Sequence, residues 1–314
     1  MWFILLFLTS LAFAQDGSYL LNKFSDGLNT KTSPILLQEG NTPDCLNVLF
    51  DDVGGVKKRA GYKYFGYSTS TIAGNGLFQL SRNSGAKFLF LQIEDKLYSS
   101  STGIDDSWTL LRSGLKWQLN YLNSANIANL LWLTNGIDNV FSSNGMGYTE
   151  YSFIPKGKHI TSMSEGTSGI LYDRGFVANT YDLPAGVYYS DTAYAITDEN
   201  AWSASQVFVV GSGDGEVITG LYVWHGDLYI FKERSVWRLS GNMPENWTLR
   251  RLTTEYGCAY DSTIREYKNI LIFLSKQKKA VVGFDGSFFT ELSLPIEPDL
   301  DDWANLDGYY NYWV

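Results

Sequence analysis

Leu97-Tyr98-Ser99-Ser100 is the first copy of a short phrase in which Ser or Gly closely follows an aromatic residue. The later copies are Val140-Phe141-Ser142-Ser143, Val187-Tyr188-Tyr189-Ser190, Val236-Trp237-Arg238-Leu239-Ser240 and Val282-Gly283-Phe284-Asp285-Gly286. Counted from each copy's anchor ring, the steps are 43, 47, 49 and 47 residues, the anchors being Tyr98, Phe141, Tyr188, Trp237 and Phe284. A β-rich unit repeated every 40 to 50 residues or so is typical of propeller blades. The spacing therefore predicts an all-β propeller.

The unit around Trp237 shows the predicted content of one blade. Short turns separate four strand-like segments there, at residues 220–224, 228–231, 235–239 and 247–252. Four strands joined in this way form one antiparallel sheet. Units of similar outline occupy residues 88–111, 130–153, 170–205 and 270–294. We therefore expect five to six four-stranded antiparallel blades.

A second recurrence places a polar turn directly before a tryptophan. It occurs at Trp108, Trp202 and Trp247, and Asp301-Asp302-Trp303 resembles a further copy. The step from Trp202 to Trp247 is 45 residues, which is one blade period. We expect these rings to pack between blades, and stacking platforms for sugars are the alternative interpretation.

The composition favours pleated, well-packed sheets. Hydrophobic residues make up 45% of the 314 positions, aromatic residues 16% and charged residues only 18%. The net charge of −9 argues against a protein that grips nucleic acid through phosphates. The two basic groups, Lys57-Lys58-Arg59 and the trio Lys276, Lys278 and Lys279, are interpreted as solvated charges beside turns.

Three segments are predicted along the chain. Residues 1–14 contain an apolar run and an Ala-Phe-Ala end, as in a cleaved signal peptide, although no basic residue precedes the run. A mis-assigned start and a buried N-terminal strand are the alternatives. Residues 15–75 form an N-terminal arm and hairpin, and residues 76–314 form the propeller. The tail either closes a sixth blade with the N-terminal hairpin or is truncated, and no stable membrane span is expected.

No residue is assigned a catalytic, cofactor-binding or metal-binding role from the sequence. His159 and His225 are predicted to lie in a loop and a turn, without a Gly-x-Ser-x-Gly elbow. Cys45 and Cys258 lack metal-ligand spacing, and two isolated buried thiols are favoured over a disulfide, which stays open for an exported chain.

Acidic residues are expected to serve turns. The candidate pairs for glycoside chemistry all lie in turn-like contexts, where Asp hydrogen-bonds its own backbone. They are Asp51/Asp52, Asp105/Asp106, Asp198/Glu199 and the group Asp299, Asp301 and Asp302. Residues 211–216 contain Gly and acidic residues but lack both P-loop and EF-hand spacing, so they are interpreted as a flexible connection between blades.

The arm and the fourth blade together resemble tailed-phage nozzle or tail-tubular proteins and packaged-DNA-stabilisation proteins. The stretches that carry this resemblance lie at residues 24–29, 47–50, 55–62, 218–221, 228–231, 235–239, 257–258, 273–275 and 284–286. The resemblance implies a virion part, assembled as a ring on protein partners, through which DNA passes without sequence-specific binding. An acidic surface suits such a channel because it repels DNA. The leader-like N-terminus departs from this picture, since phage tails assemble in the cytosol.

Three functions follow from these observations. The first is a non-catalytic structural propeller of the phage-tail type, located in the virion if the chain is phage-encoded. The second is an exported propeller that binds a protein or glycan partner in the periplasm or outside the cell. The third is a secreted propeller hydrolase, which is less favoured because no constellation of catalytic residues was found.

Overall fold

The computed structural model describes residues 24, 26–50, 55–61, 74–102, 108–116, 121–163 and 173–297. The chain divides into a unit that ends at Gly61 and a unit that begins at Tyr62. The leader-like segment, the tail beyond residue 297 and residues 51–54, which belong to the turn of the expected hairpin at residues 51–55, lie outside the described residues. Among the described residues, no helix has the length and apolar character needed to cross a membrane.

The first unit contains two small sheets. Strands β1 (Gly27–Leu28) and β2 (Asn41–Thr42) pair in parallel, with a 3₁₀ turn at Pro34–Leu36 between them. Strands β3 (Val48–Phe50) and β4 (Val56–Lys58) pair antiparallel, which is the predicted hairpin. The Phe24 and Phe50 rings pack with their centroids 6.3 Å apart.

The described residues of the second unit form five four-stranded antiparallel sheets, each built from consecutive strands. Blade 1 comprises β5 (Gly76–Ser81), β6 (Lys87–Ile93), β7 (Lys96–Ser100) and β8 (Thr109–Arg112). Blade 2 comprises β9 (Asn123–Ile127), β10 (Leu130–Thr134), β11 (Val140–Ser143) and β12 (Tyr148–Tyr151). Blade 3 comprises β13 (Gly157–Met163), β14 (Arg174–Thr180), β15 (Gly186–Tyr189) and β16 (Val207–Val209).

The last two blades repeat this order. Blade 4 comprises β17 (Ile218–Trp224), β18 (Asp227–Lys232), β19 (Val236–Ser240) and β20 (Thr248–Thr253). Blade 5 comprises β21 (Arg265–Tyr267), β22 (Ile270–Ser275), β23 (Ala280–Phe284) and β24 (Phe289–Glu291). The connections contain 3₁₀ turns at Glu199–Ala201, Pro244–Asn246 and Asp261–Thr263, and another follows β24 at Leu294–Ile296.

The blades pack face to face through separate apolar clusters, and we call each contact between neighbouring blades a seam. Seam 1–2 contains Phe90 and Leu131, seam 2–3 Trp132 and Val177, seam 3–4 Phe176 and Ile230, and seam 4–5 Phe231 and Phe273. Strand residues alternate between seams: in β18, Leu228 and Ile230 face blade 3, whereas Tyr229 and Phe231 face blade 5. This alternation, with both faces buried, confirms the predicted all-β propeller.

Tight turns join the first two strands of several blades. In blade 4, His225 and Gly226 link β17 to β18 with φ angles of 53° and 81°. Lys268 and Asn269 make the same turn in blade 5, with φ angles of 47° and 63°. Two consecutive positive φ angles define the type I′ turn, whose twist matches that of the flanking strands. The His-Gly-Asp turn predicted at His225 is therefore confirmed.

The blade boundaries differ from the sequence prediction at their first strands. Four predicted units began one strand late, at residues 88, 130, 170 and 270, whereas the blades begin with β5, β9, β13 and β21. Several of these first strands are short or rich in polar residues, as in Asn123-Ser124-Ala125-Asn126-Ile127. Such segments carry no continuous apolar run, which explains why the pattern missed them.

Candidate functional site

His159 lies within a strand, not in the predicted loop. It belongs to β13 and is 8% exposed, and its Nδ1 is 3.2 Å from Oδ2 of Asp261 in the connection between blades 4 and 5. Asn123, at the start of blade 2, donates its side-chain amide to the same carboxylate oxygen. The loop prediction failed because Gly157 indicated a turn, whereas a Cβ at this position would collide with Val177 and Ala178 of β14.

The carboxylate of Asp261 therefore links three parts of the propeller. Burial alone would raise the pKa of Asp261, but hydrogen bonds from His159, Asn123 and the Ser262 backbone hold it below its usual value. The Asn123 carbonyl oxygen also accepts a hydrogen bond from the Ile160 N–H, at 2.9 Å. Because these side chains satisfy one another's hydrogen-bonding groups, they form a structural junction between blade 2, blade 3 and the connection from blade 4 to blade 5.

The second histidine also connects two blades. The Nε2 of His225 is 2.8 Å from Oδ1 of Asn269, so the first turns of blades 4 and 5 are hydrogen-bonded to each other. The ring also packs on Trp224, with centroids 4.2 Å apart. Both histidine side chains thus have structural hydrogen-bond partners within the protein.

A buried lysine fixes the Gly-rich segment 211–216. Lys232, at the end of β18, is fully buried, and its Nζ donates to both oxygens of Asp214, at 2.6 and 2.5 Å, and to the Val210 carbonyl, at 2.9 Å. Partial burial would raise the pKa of Asp214, but Lys232 and the Glu216 N–H together lower it. The prediction of a flexible connection is therefore wrong at Asp214.

The glycine at position 211 is needed for this ion pair. It adopts a φ of +64°, and a Cβ there would collide with the Asp214 carboxylate and approach Lys232 Nζ to 3.0 Å. This arrangement is not predictable from the sequence, because a lysine beside a turn is expected to lie in solvent. Within residues 211–216, the Asp214 carboxylate binds the Lys232 amine of the protein itself. This ion pair accounts for an acidic residue in a Gly-rich segment.

The cysteines and the other acidic candidates provide no reactive centre among the described residues. Both cysteines are free, Cys45 half-buried and Cys258 fully buried, and burial raises the pKa of Cys258 to about 12. Asp198 caps the 3₁₀ turn that contains Glu199, accepting from Asn200 N–H, as expected of a turn residue. The pairs at 51/52 and 105/106 and the group at 299–302 lie outside the described residues. No cluster of three or more metal-ligating side chains occurs in the described part of the chain.

Two of the repeated tryptophans pack on the preceding blade, as predicted. Trp247 joins the cluster of seam 3–4, where its ring contacts Tyr189 and Phe208 with centroids 4.8 and 5.7 Å away. Trp202 joins the cluster of seam 2–3, and its Nε1 donates to the Ile196 carbonyl at 3.0 Å. Trp303 lies outside the described residues.

Seam 2–3 opens into a cleft of about 720 Å³. Its walls are the turn after β10, the connection from β12 to β13, the turn after β14 and the long connection after β15. Aromatic rings line it at Phe153, Tyr181, Tyr188 and Trp202, and its charged residues are Lys156 and Asp182. A volume of this size falls in the range of about 300–1,000 Å³ typical of small-ligand sites. No role was predicted for Tyr181 or Asp182 from the sequence. An aromatic residue among turn-forming residues could have marked this position.

Comparisons with known proteins identify no family for this chain. No protein-family model matches the chain, and no curated protein matches it. The solved structures it resembles include BBS1N in complex with ARL6DN, at 9% identity over 75% of this chain and 71% of that chain, with a TM-score of 0.47. BamB from Moraxella catarrhalis matches at 10% identity over 72% of this chain and 62% of that one, with a TM-score of 0.42. The WD40 domain of SCAP from fission yeast matches at 13% identity over 67% and 55%, with a TM-score of 0.37. All are β-propellers, and identities and TM-scores this low carry no information about shared function.

Proposed function

We propose that this chain is a non-catalytic structural propeller, of the kind found in phage tail nozzles and packaged-DNA-stabilisation proteins. The observation that carries the proposal is the use of its polar side chains. His159, Asp261 and Lys232, the groups best suited to chemistry, are each hydrogen-bonded within or between blades. Because these polar side chains are engaged in joining the sheets, they favour a rigid arrangement of the blades.

Further hydrogen bonds join neighbouring blades. The Ser99 hydroxyl donates to the Gly145 carbonyl at 2.7 Å across seam 1–2, and Asn126 donates to the Gln79 carbonyl at 3.0 Å across the same seam. The Thr134 hydroxyl donates to the Gly157 carbonyl at 2.5 Å across seam 2–3. Blades joined by these hydrogen bonds suit a mechanical role in an assembly, and the resemblance of the sequence to nozzle proteins supports a phage tail as that assembly.

The proposal includes protein partners, a ring of identical subunits and passage of DNA without sequence-specific contacts. The net charge of −9 supports unhindered passage, because an acidic surface repels phosphates. A virion location follows if the gene belongs to a phage, and an exported location follows if the leader-like segment is used.

Electron microscopy of the purified full chain tests this proposal. We expect discrete rings, formed by the chain alone or on addition of a portal-type protein, and light scattering should give the mass of a closed oligomer. A monomer under both conditions would overturn the structural role. Hydrolytic turnover that is abolished by changing one loop carboxylate would overturn the non-catalytic role.

A second candidate function is an exported propeller that binds a partner. The observation in its favour is the cleft in seam 2–3, since a purely structural propeller does not require a cavity lined by aromatic side chains. Secretion of a monomeric chain into the periplasm or the medium would support it over the ring.

A further inference from the structure

We propose that the cleft in seam 2–3 is a binding site for a short neutral oligosaccharide. This inference is independent of the ring proposed above, because the cleft lies within a single copy of the chain. It rests on the exposure of the aromatic rings, the rigidity of the turns that carry them and the charge of the walls.

The aromatic rings of the cleft differ in exposure: one is almost wholly in solvent and three are partly buried in its walls. Tyr181 is 93% exposed, while Phe153, Tyr188 and Trp202 are each half-buried in the walls. The anchor ring of the same repeated phrase is also half-buried at Tyr98 and Trp237, and it is buried at Phe141 and Phe284. Exposed rings that line a cavity provide flat apolar surfaces, and the carbon-bound hydrogens of a pyranose ring pack well on such surfaces.

The turn that carries Tyr181 is held in place by its neighbours. Asn179, at the end of β14, adopts a φ of +59°, and its amide donates to the Ile218 carbonyl of blade 4 at 2.7 Å. The Thr180 hydroxyl accepts from the Leu183 N–H at 3.2 Å. A non-glycine residue in the left-handed region costs energy, and such strain often persists at functional sites. A ring on a fixed turn needs little ordering when a ligand binds.

The ring of Trp202 is fixed as well. Its indole N–H is bonded to the Ile196 carbonyl, and its ring edge lies 3.3 Å from where a Cβ would stand on Gly175 of β14. The connection beyond it is ordered by a hydrogen bond of 2.7 Å from the Ser203 N–H to Gln206. Two rings on independent, hydrogen-bonded segments therefore face one cavity.

The polar groups of the cleft suit hydroxyl-rich, uncharged ligands. The walls carry the hydroxyl groups of Ser152, Tyr181 and Ser203, which can donate and accept. The two charged side chains, Lys156 and Asp182, have opposite signs and are both exposed. This balance gives no net attraction for an anionic or cationic ligand, in contrast to the arginine clusters that hold carboxylates or phosphates.

A peptide or a protein surface fits the cleft less well. A peptide that adds to a sheet needs an open strand edge, but β15, which carries Tyr188, is paired on both sides with β14 and β16. A stable protein interface buries about 800 Å² on each partner, and a cavity of this volume accepts only a small protrusion. A short sugar chain matches both the size and the chemistry.

Saturation-transfer NMR on the full chain tests the proposal with five probes. Maltotriose, cellotriose and N,N′,N″-triacetylchitotriose are the neutral probes, and sialyllactose and a heparin-derived tetrasaccharide are the charged ones. We expect at least one neutral trisaccharide to bind and the charged probes to bind more weakly. Tyr181→Ala should weaken binding about tenfold, and Tyr181→Phe, which keeps the ring, should retain it within about threefold.

The matched control is Tyr267→Ala in β21. Tyr267 is also exposed, at 59%, and lies in blade 5, so this variant should bind like the wild type. Because the Tyr181 side chain is almost wholly in solvent, its loss should leave the melting temperature unchanged. The proposal is overturned if no neutral trisaccharide binds, if Tyr181→Ala binds normally, or if a charged probe binds most tightly at this cleft.

Discussion

Seams 2–3 and 3–4 each contain a tryptophan that follows a polar turn, but the two seams differ in how completely they are closed. Trp202 and Trp247 each follow a 3₁₀ turn, and each packs on the preceding blade. Around Trp247, the rings of Phe176, Tyr189 and Phe208 fill the seam, and the Arg174 guanidinium lies 5.3 Å from the indole. Around Trp202, one side of the ring faces the cleft.

The difference shows that a repeated residue can have two roles in one propeller. Three aromatic rings and the Arg174 guanidinium surround the half-buried ring of Trp247, although its buried Nε1 has no hydrogen-bond partner among the described residues. Trp202 is held by the same kind of contact on one side only. The turns after β10 and β14 leave the cleft open beside Trp202. The tryptophan alone therefore does not determine whether a seam is closed.

The largest effect is expected from Lys232→Met at the connection next to seam 3–4. Lys232 is fully buried, so its loss takes the amine away from the Val210 carbonyl and from the Asp214 carboxylate, which keeps the Glu216 N–H as a donor. We expect a loss of about 3–5 kcal/mol in the free energy of unfolding, measured by urea denaturation. The double variant Lys232→Met/Asp214→Asn should recover part of this loss. Wild-type stability in Lys232→Met would show that the ion pair does not fix the segment.

The paired variants Trp247→Ala and Trp202→Ala compare the two seams directly. Trp247→Ala should lower the free energy of unfolding by about 3 kcal/mol, since it removes a ring packed among aromatic neighbours. Trp202→Ala should cost about 1–2 kcal/mol, because part of its ring is already in solvent. Chemical denaturation monitored by circular dichroism provides both values. Equal losses would mean that the two seams are packed alike.

The smallest effect is expected from Asp261→Asn, which changes the junction that joins blades 2 and 3 to the connection between blades 4 and 5. A carboxyl whose pKa is lowered in the folded state stabilises the fold above its ordinary pKa and loses this effect as the pH falls through its folded pKa. We expect the variant to be less stable than the wild type by about 1 kcal/mol at neutral pH. The gap should close below about pH 4, as seen in melting temperatures across pH. A gap that widens in acid would contradict the assigned hydrogen bonds.

The sequence predicted the repeat but not its junctions. The buried strands of blade 4 were recognised because apolar residues and turn signals alternate there, as at Leu228 and Gly226. The first strand of blade 2 was missed because Asn123 uses its polar side chain to bind Asp261 and Ile160, contacts that lie far apart in sequence. Local patterns carry no information about such partners.

The candidate site was missed for a related reason. Tyr181 sits in a turn of blade 3, and Phe153 and Trp202 come from two other connections. The sequence pattern identified Trp202 as a packing residue, which is correct for one of its faces. Only the folded arrangement of blades 2 and 3 brings the three rings to one cavity.

Hydrogen–deuterium exchange on the full chain, with and without the tightest-binding neutral trisaccharide, is the most direct test of the contrast between the two seams. We predict that ligand slows exchange in peptides covering residues 152–156, 180–182 and 202–204, and leaves exchange around Trp247 unchanged. Slower exchange at seam 3–4 instead, or no change at any peptide from the cleft, would contradict the assignment of seam 2–3 as the open, ligand-binding seam.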